Sequence, residues 1–252
     1  MLCPACSCQF SDASASHCPS CGSQLNHTTP IPSPIVAGLV RPKLPISVDL
    51  AVTVDRTDSS SLFRDGIPKT LELVVRGIEK RVSDLRVFLF SHGDLDEGQN
   101  VVLHTDGGTS DQAIADARQI QYSGGGDPFE HHLDAIEHVL QRTPWNAQPG
   151  KSRSAILAFM TADTKPRRSG LSAIELGQQI QAQGISLYLV CEPTPTLYEL
   201  LKSAGGLMFP ISVNPDPADL ELIAGQLAVS ISQPMVAGTT LPLPQPGQQA
   251  AL

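Results

Sequence analysis

Along the middle of the chain, short apolar runs alternate with helix-period patterns. The runs are Ile46–Val54, Leu85–Phe90, Asn100–His104, Ala155–Thr161, Ile185–Val190 and Leu207–Ile211. Each is rich in branched or aromatic residues and short enough to be a strand, several of them apolar on both faces. Between them, Phe63, Ile67, Leu71, Val74 and Ile78 repeat at steps of three and four residues. Leu133, Ile136, Val139 and Leu140 line a second helical face, and Leu197, Leu200, Leu201 and Ala204 a third. Leu220, Ile223, Ala224, Leu227 and Ile231 line a fourth, which Asp216-Pro217 opens and Pro234 closes. Strands alternating with helices predict an α/β fold: a doubly wound, mostly parallel, six-stranded, Rossmann-like sheet with helices on both faces. Only the polar stretch Gly93 to Gly98 joins the second and third runs. That is too short for a crossover helix, so the third strand is expected to run antiparallel.

Outside residues 46–231 the pattern stops. Residues 26–45 contain Pro30, Pro32, Pro34, Pro42 and Pro45 and read as an extended linker; residues 232–252 are rich in Pro, Gln and Gly and read as a disordered tail. The 252 residues carry 25 acidic and 17 basic side chains, a net charge of −8. That balance argues against a protein that grips nucleic-acid phosphate or an anionic membrane surface. No apolar run reaches the roughly 20 residues that a bilayer span needs. No secretory signal is visible either, so the expected location is the cytoplasm.

The cysteines change the picture at the N-terminal end. Five of the six fall within the first 21 residues. Cys3-x2-Cys6, eleven residues, and Cys18-x2-Cys21 form two thiolate knuckles at the spacing of a structural zinc site, which gathers four soft ligands into a tetrahedron. So short a segment has no core of its own, and bound zinc would supply its folding energy. Cys3-Pro-Ala-Cys6 and His17-Cys18-Pro-Ser-Cys21-Gly22 resemble the zinc-ribbon family, taken here as residues 1–25. Cys8 departs from the usual turn, and Cys8 or His17 is an alternative fourth ligand. Cys191, alone in an apolar run, reads as an inert core thiol.

The second chemical feature is Val54-Asp55-Arg56-Thr57-Asp58-Ser59-Ser60-Ser61, at the end of the first core strand. A carboxylate at the edge of a buried strand is costly unless something pairs it. With hydroxyls at alternate positions, it offers one face of an oxygen site for a hard divalent cation such as magnesium. Asp163 follows the fourth core strand, and the loop Ser123-Gly124-Gly125-Gly126-Asp127-Pro128 leads toward a helix. Strand ends of an open parallel sheet converge on one crevice. The pattern Asp55-x-Thr57-x-Ser59 resembles the signature of von Willebrand factor A domains, and the likeness covers residues 46–231. It implies a metal-ion-dependent adhesion site in which Asp55, Thr57 and Ser59 touch the cation, and Asp127 and Asp163 hold it directly or through water. Asp127 stands where the family usually has threonine, and Asp58 where many members have glycine. Zinc ribbons joined to such domains resemble bacterial modules found with MoxR-type AAA ATPases, kinases and phosphatases, including tellurium-resistance-like systems.

Plainer readings exist for each residue. Ser59 is a possible N-cap of the first helix, Asp163 a turn residue, and Asp127, Pro128 and Glu130 together match a helix start with a capping-box acid. His92 reads as a solvent-facing turn residue. His131, His132 and His138 lack the spacing of helical metal ligands and read as surface residues. The expected function is a non-enzymatic protein-interaction adaptor whose bound cation takes an Asp or Glu from a partner. A metal-dependent phosphohydrolase is the alternative, although Thr57 stands where such enzymes place a second acid. No phosphate-binding loop of the Gly-x4-Gly-Lys type occurs. A zinc-ribbon nucleic-acid adaptor is weaker still, since no Lys or Arg precedes Arg41.

Overall fold

The computed structural model describes residues 43–63, 66–126, 129–146, 148, 150–211 and 216–232. Cys3, Cys6, Cys8, His17, Cys18, Cys21, Asp127, most of the linker and the tail beyond Ser232 lie outside the described residues. The central sheet comprises β1 (Leu44–Asp55), β2 (Val82–His92), β3 (Val102–Gly108), β5 (Ser152–Phe159), β7 (Ile185–Cys191) and β8 (Leu207–Pro210). Their order is β3-β2-β1-β5-β7-β8. All neighbours run parallel except β3, which is antiparallel to β2, as the short polar connection requires. A separate two-stranded ribbon joins β4 (Phe129–Glu130) to β6 (Asp163–Thr164).

Period-two alternation in β1 sorts its side chains between two cores. Val48, Leu50, Val52 and Val54 face a layer built from α1 (Gly66–Glu79), α2 (Ser110–Ala117) and α6 (Pro217–Ser232). Ala51 faces the layer of α3 (His132–Arg142), α4 (Ala173–Ala182) and α5 (Pro195–Ala204). Asp49, Thr53 and Asp55 share the parity of Ala51, so three polar side chains of the most central strand point to that second layer. All three are buried.

Several expectations shift. β1 opens at Leu44, inside the stretch read as linker. α2 and α4 add to the helices read from the sequence: Ala113, Ile114 and Ala117 in one, and Ala173, Leu176 and Ile180 in the other, make stripes too short and alanine-rich to stand out. Glu130 is not a capping-box acid of α3. α3 begins only at His132, its N-cap is His131, and Glu130 belongs to a strand. Ser59 does not cap α1, because a 3-10 turn over Asp58–Phe63 precedes that helix.

Candidate functional site

In the strand order, the chain passes from β1 to β2 on one side and later from β5 to β7 and β8 on the other. The C-terminal ends of β1 and β5 therefore flank the reversal point, where crevices form in open α/β sheets. Asp55 ends β1 and is fully buried. Its Oδ1 accepts the Thr57 N–H at 2.9 Å and the Thr57 hydroxyl at 2.8 Å. Its Oδ2 accepts the Thr161 hydroxyl at 2.8 Å, from just beyond β5. Ser59 Oγ lies 3.0 Å from Thr57 Oγ1 and 3.3 Å from Thr161 Oγ1, and Ser60 Oγ lies 2.6 Å from Thr161 Oγ1. The motif acid and both motif hydroxyls thus form one cluster, to which the structure adds Thr161. Among the described residues, no lysine or arginine pairs with Asp55.

The glycine loop lies against this cluster. Gly124 C=O accepts the Asp58 N–H at 2.8 Å. Gly124 and Gly125 hold φ of 77° and 85°, the left-handed region that glycine enters at no steric cost. A Cβ placed on Gly125 would lie 2.8 Å from both Thr57 Cβ and Glu130 Oε1. That close approach sets the buried Glu130 carboxyl beside the Thr57 side chain. Asp163 lies half-buried in β6, pairs in register with Phe129, and accepts the Thr164 N–H on Oδ1 at 2.8 Å. In this turn it is Thr161, not Asp163, that bonds the Asp55 carboxylate. Asp163 does lie near enough to His132 to act on it electrostatically, as Asp55 does.

Three histidines expected at the surface near this edge, His92, His131 and His132, are buried. His92 is the last residue of β2 and the cross-strand neighbour of Asp55. Its Nδ1 lies 2.9 Å from Thr53 Oγ1, and its Nε2 lies 2.8 Å from His132 Nδ1. The rings meet edge to face at 5.1 Å. His131 and His132 are correspondingly not surface residues: helix α3 turns its first residues inward onto the sheet end. Burial pushes His92 down to about 3, helped by its neighbour His132, and lowers His132 as well. Both imidazoles are therefore neutral near neutral pH. Burial pushes the Asp55 carboxyl up, but the fields of His132 and His92 and the hydrogen bonds from Thr57 outweigh it and leave its pKa below the ordinary value. Near neutral pH, where the imidazoles are uncharged, the carboxylate keeps the bonds from the Thr57 and Thr161 hydroxyls and the Thr57 N–H.

A second polar cluster adjoins the first through His131. His131 Nδ1 lies 2.9 Å from Asp94 Oδ1, and Lys165 Nζ sits 2.8 Å from Asp94 Oδ2 and 2.9 Å from Asp96 Oδ2. Arg168 reaches Asp96 Oδ1 at 2.9 Å. The ligand atoms of Asp94, Asp96 and His131 lie within 4.8 Å of one another, close enough for a metal. The Lys165 ammonium already bridges both carboxylates, so the cationic role there is filled by the chain itself. Lys165 and Arg168 hold the Asp96 carboxyl down at about 2. Nothing in local spacing announced this cluster, since Lys165 is 71 residues from Asp94.

Cys191 is buried at the end of β7, and burial pushes its thiol up to about 12, as befits an inert core residue. Among the described residues no helix is long and apolar enough to cross a membrane. The donor set around Asp55 consists of carboxylate and hydroxyl oxygens, which suits a hard cation such as Mg2+, Mn2+ or Ca2+ and not a thiophilic metal. No protein-family model matches this chain, and no curated protein matches it.

Proposed function

We propose that this chain is a protein-interaction adaptor of the von Willebrand factor A type, which holds a divalent cation at the C-terminal end of β1 to engage an acidic residue of a partner. The observation that carries the reading is the buried Asp55 carboxylate at the sheet's reversal point, ringed by Thr57, Ser59 and Thr161 oxygens and paired with no lysine or arginine among the described residues. Asp55, Thr57 and Ser59 are the primary ligands in this reading, with Asp127 and Asp163 completing the set directly or through water. Glu130 joins them as a further candidate, because its carboxyl is buried beside Thr57. The cation supplies a Lewis-acidic position that an Asp or Glu side chain can occupy. The chain's own groups do the positioning. Thr161 and Thr57 orient the two Asp55 oxygens, while the Thr53–His92–His132 chain supports the wall behind them without adding positive charge at neutral pH.

The N-terminal segment is proposed to be a zinc ribbon held by Cys3, Cys6, Cys18 and Cys21, tethered by the Pro-rich stretch. Its role is structural or protein-contacting, and the partner class, by resemblance, is an AAA ATPase, kinase or phosphatase system. The test is capture of an Asp- or Glu-bearing peptide library on the full-length protein, with and without Mg2+. Retention that requires Mg2+ and is lost in Asp55→Asn supports the adaptor; equal retention by both proteins, or without Mg2+, overturns it.

A further inference from the structure

The loop that presses on Thr57 is held from its other side by a carboxylate outside the proposed ligand set. Glu97 is exposed, yet its two oxygens accept the N–H groups of two successive glycines: Oε2 from Gly125 and Oε1 from Gly126, each at 2.9 Å. Two adjacent N–H groups turned the same way by left-handed glycines form a concavity for an anion, and charge-assisted bonds of this kind are about twice as strong as neutral ones. Gln99 reinforces the attachment. Its Nε2 donates to Ser123 C=O at 2.8 Å, while its Oε1 accepts the Asp94 N–H at 3.1 Å.

The approach is close. A Cβ on Gly124 would lie 2.6 Å from Glu97 Oε2, and one on Gly126 2.9 Å from Glu97 Oε1. The one on Gly125 would strike Thr57 and Glu130 instead. The three glycines are thus gripped between Glu97 on one side and the cluster around Asp55 on the other. The gripping segment is itself anchored, because Asp94 and Asp96 are bound by Lys165, two residues beyond Asp163. One short segment, Asp94 to Gln99, therefore ties down both loops that border the Asp55 carboxylate.

We propose that Glu97 is a positioning residue: by clamping Gly125 and Gly126 it fixes the loop against Thr57 and Glu130, and so sets the affinity of the Asp55 site for a divalent cation without touching the cation. The claim on affinity rests on the adaptor reading; the clamp itself does not. The experiment uses full-length wild type, Glu97→Ala, Glu97→Gln and, as a charge control on β3, Asp106→Ala. Amide hydrogen exchange at Gly125 and Gly126 is followed in the absence of added divalent cation, and Mn2+ alone is then titrated by calorimetry.

In Glu97→Ala the two glycine amides exchange at least about tenfold faster, and Mn2+ binds about tenfold more weakly. Glu97→Gln, whose single amide oxygen can keep one of the two bonds, falls between wild type and alanine in both readouts. Asp106→Ala matches wild type. A loss that came only from removing a negative charge would be equal in the alanine and glutamine variants, and that equality overturns the proposal. Unchanged glycine exchange in Glu97→Ala also overturns it, as does faster exchange with unaltered Mn2+ affinity. Wild-type protein that takes up no Mn2+ at all sinks the adaptor reading and the affinity claim together, whereas tight wild-type binding equalled by Glu97→Ala sinks this inference alone.

Discussion

Strand β1 buries two aspartates on the same face, six positions apart in sequence, and the chain treats them in opposite ways. Asp49 receives a two-pronged arginine: Arg86 Nε and Nη2 donate to its two oxygens at 2.8 Å each, and the Asn146 N–H adds a third bond at 2.6 Å. Among the described residues, Asp55 receives only hydroxyl and amide donors, from Thr57 and Thr161, with neutral histidines nearby. A buried carboxylate is normally paired, because desolvation of a lone charge costs several kcal/mol. Asp49 follows that rule and reads as a structural residue tying β1 to β2 and to the turn after α3. Asp55 departs from it at the very place where an α/β sheet builds its sites. Such departures are where proteins trade stability for function.

The largest expected difference lies in cation binding. Asp55→Asn reduces Mg2+ or Mn2+ affinity by about a hundredfold or more in a calorimetric titration, since a charged ligand at the centre of the cluster becomes neutral. Asp49→Asn leaves that affinity within about twofold. Equal losses in the two variants would erase the distinction between the two aspartates.

Stability is expected to move the other way. Asp49→Ala strands the half-exposed Arg86 guanidinium and removes three bonds, costing about 2–3 kcal/mol in urea unfolding. Asp55→Asn, measured without divalent cation, costs less, about 1 kcal/mol, because it weakens hydrogen bonds from Thr57 and Thr161 and breaks no ion pair among the described residues. A smaller change sharpens the point: Thr161→Val leaves Asp55 Oδ2 without its hydroxyl donor and costs about 1 kcal/mol.

A further difference, graded with pH, lies on the acid side. His92 has its pKa depressed by burial to about 3, so between that value and its ordinary 6.5 the unfolded chain binds a proton that the folded one does not. Stability is therefore full above pH 6.5 and falls as the pH drops through that window, by roughly 1.4 kcal/mol per pH unit for this group. His92→Gln flattens the fall measured by urea unfolding at stepped pH. An unaltered slope in that variant would place the acid sensitivity elsewhere.

How far these features were legible in the sequence follows from their range. β1, β5 and β7 declare themselves because a strand buried on both faces is a continuous apolar run, and α1, α3, α5 and α6 because their apolar stripes recur over several turns. Asp55, Thr57 and Ser59 are equally legible, lying within five residues of one another. The His92–His132 pair spans 40 positions, and histidine carries no burial preference strong enough to betray it. Glu130 shows local pattern overridden by strand pairing. Asp-Pro-x-Glu is a good helix-start pattern, but pairing of Phe129 and Glu130 with Asp163 and Thr164 diverts the backbone into a strand before α3 can begin. Thr161 looked like the end of a strand, and only the fold shows that its hydroxyl reaches Asp55.

The central claim is that the Asp55 cluster holds a hard divalent cation. It is tested most directly by crystals of the full-length protein soaked in Mn2+ and measured for anomalous scattering. The account predicts one peak at the end of β1, about 2.1–2.2 Å from oxygens of the Asp55, Thr57 and Ser59 group. A peak instead between Asp94, Asp96 and His131 with Lys165 displaced, or no peak near either cluster, would contradict it.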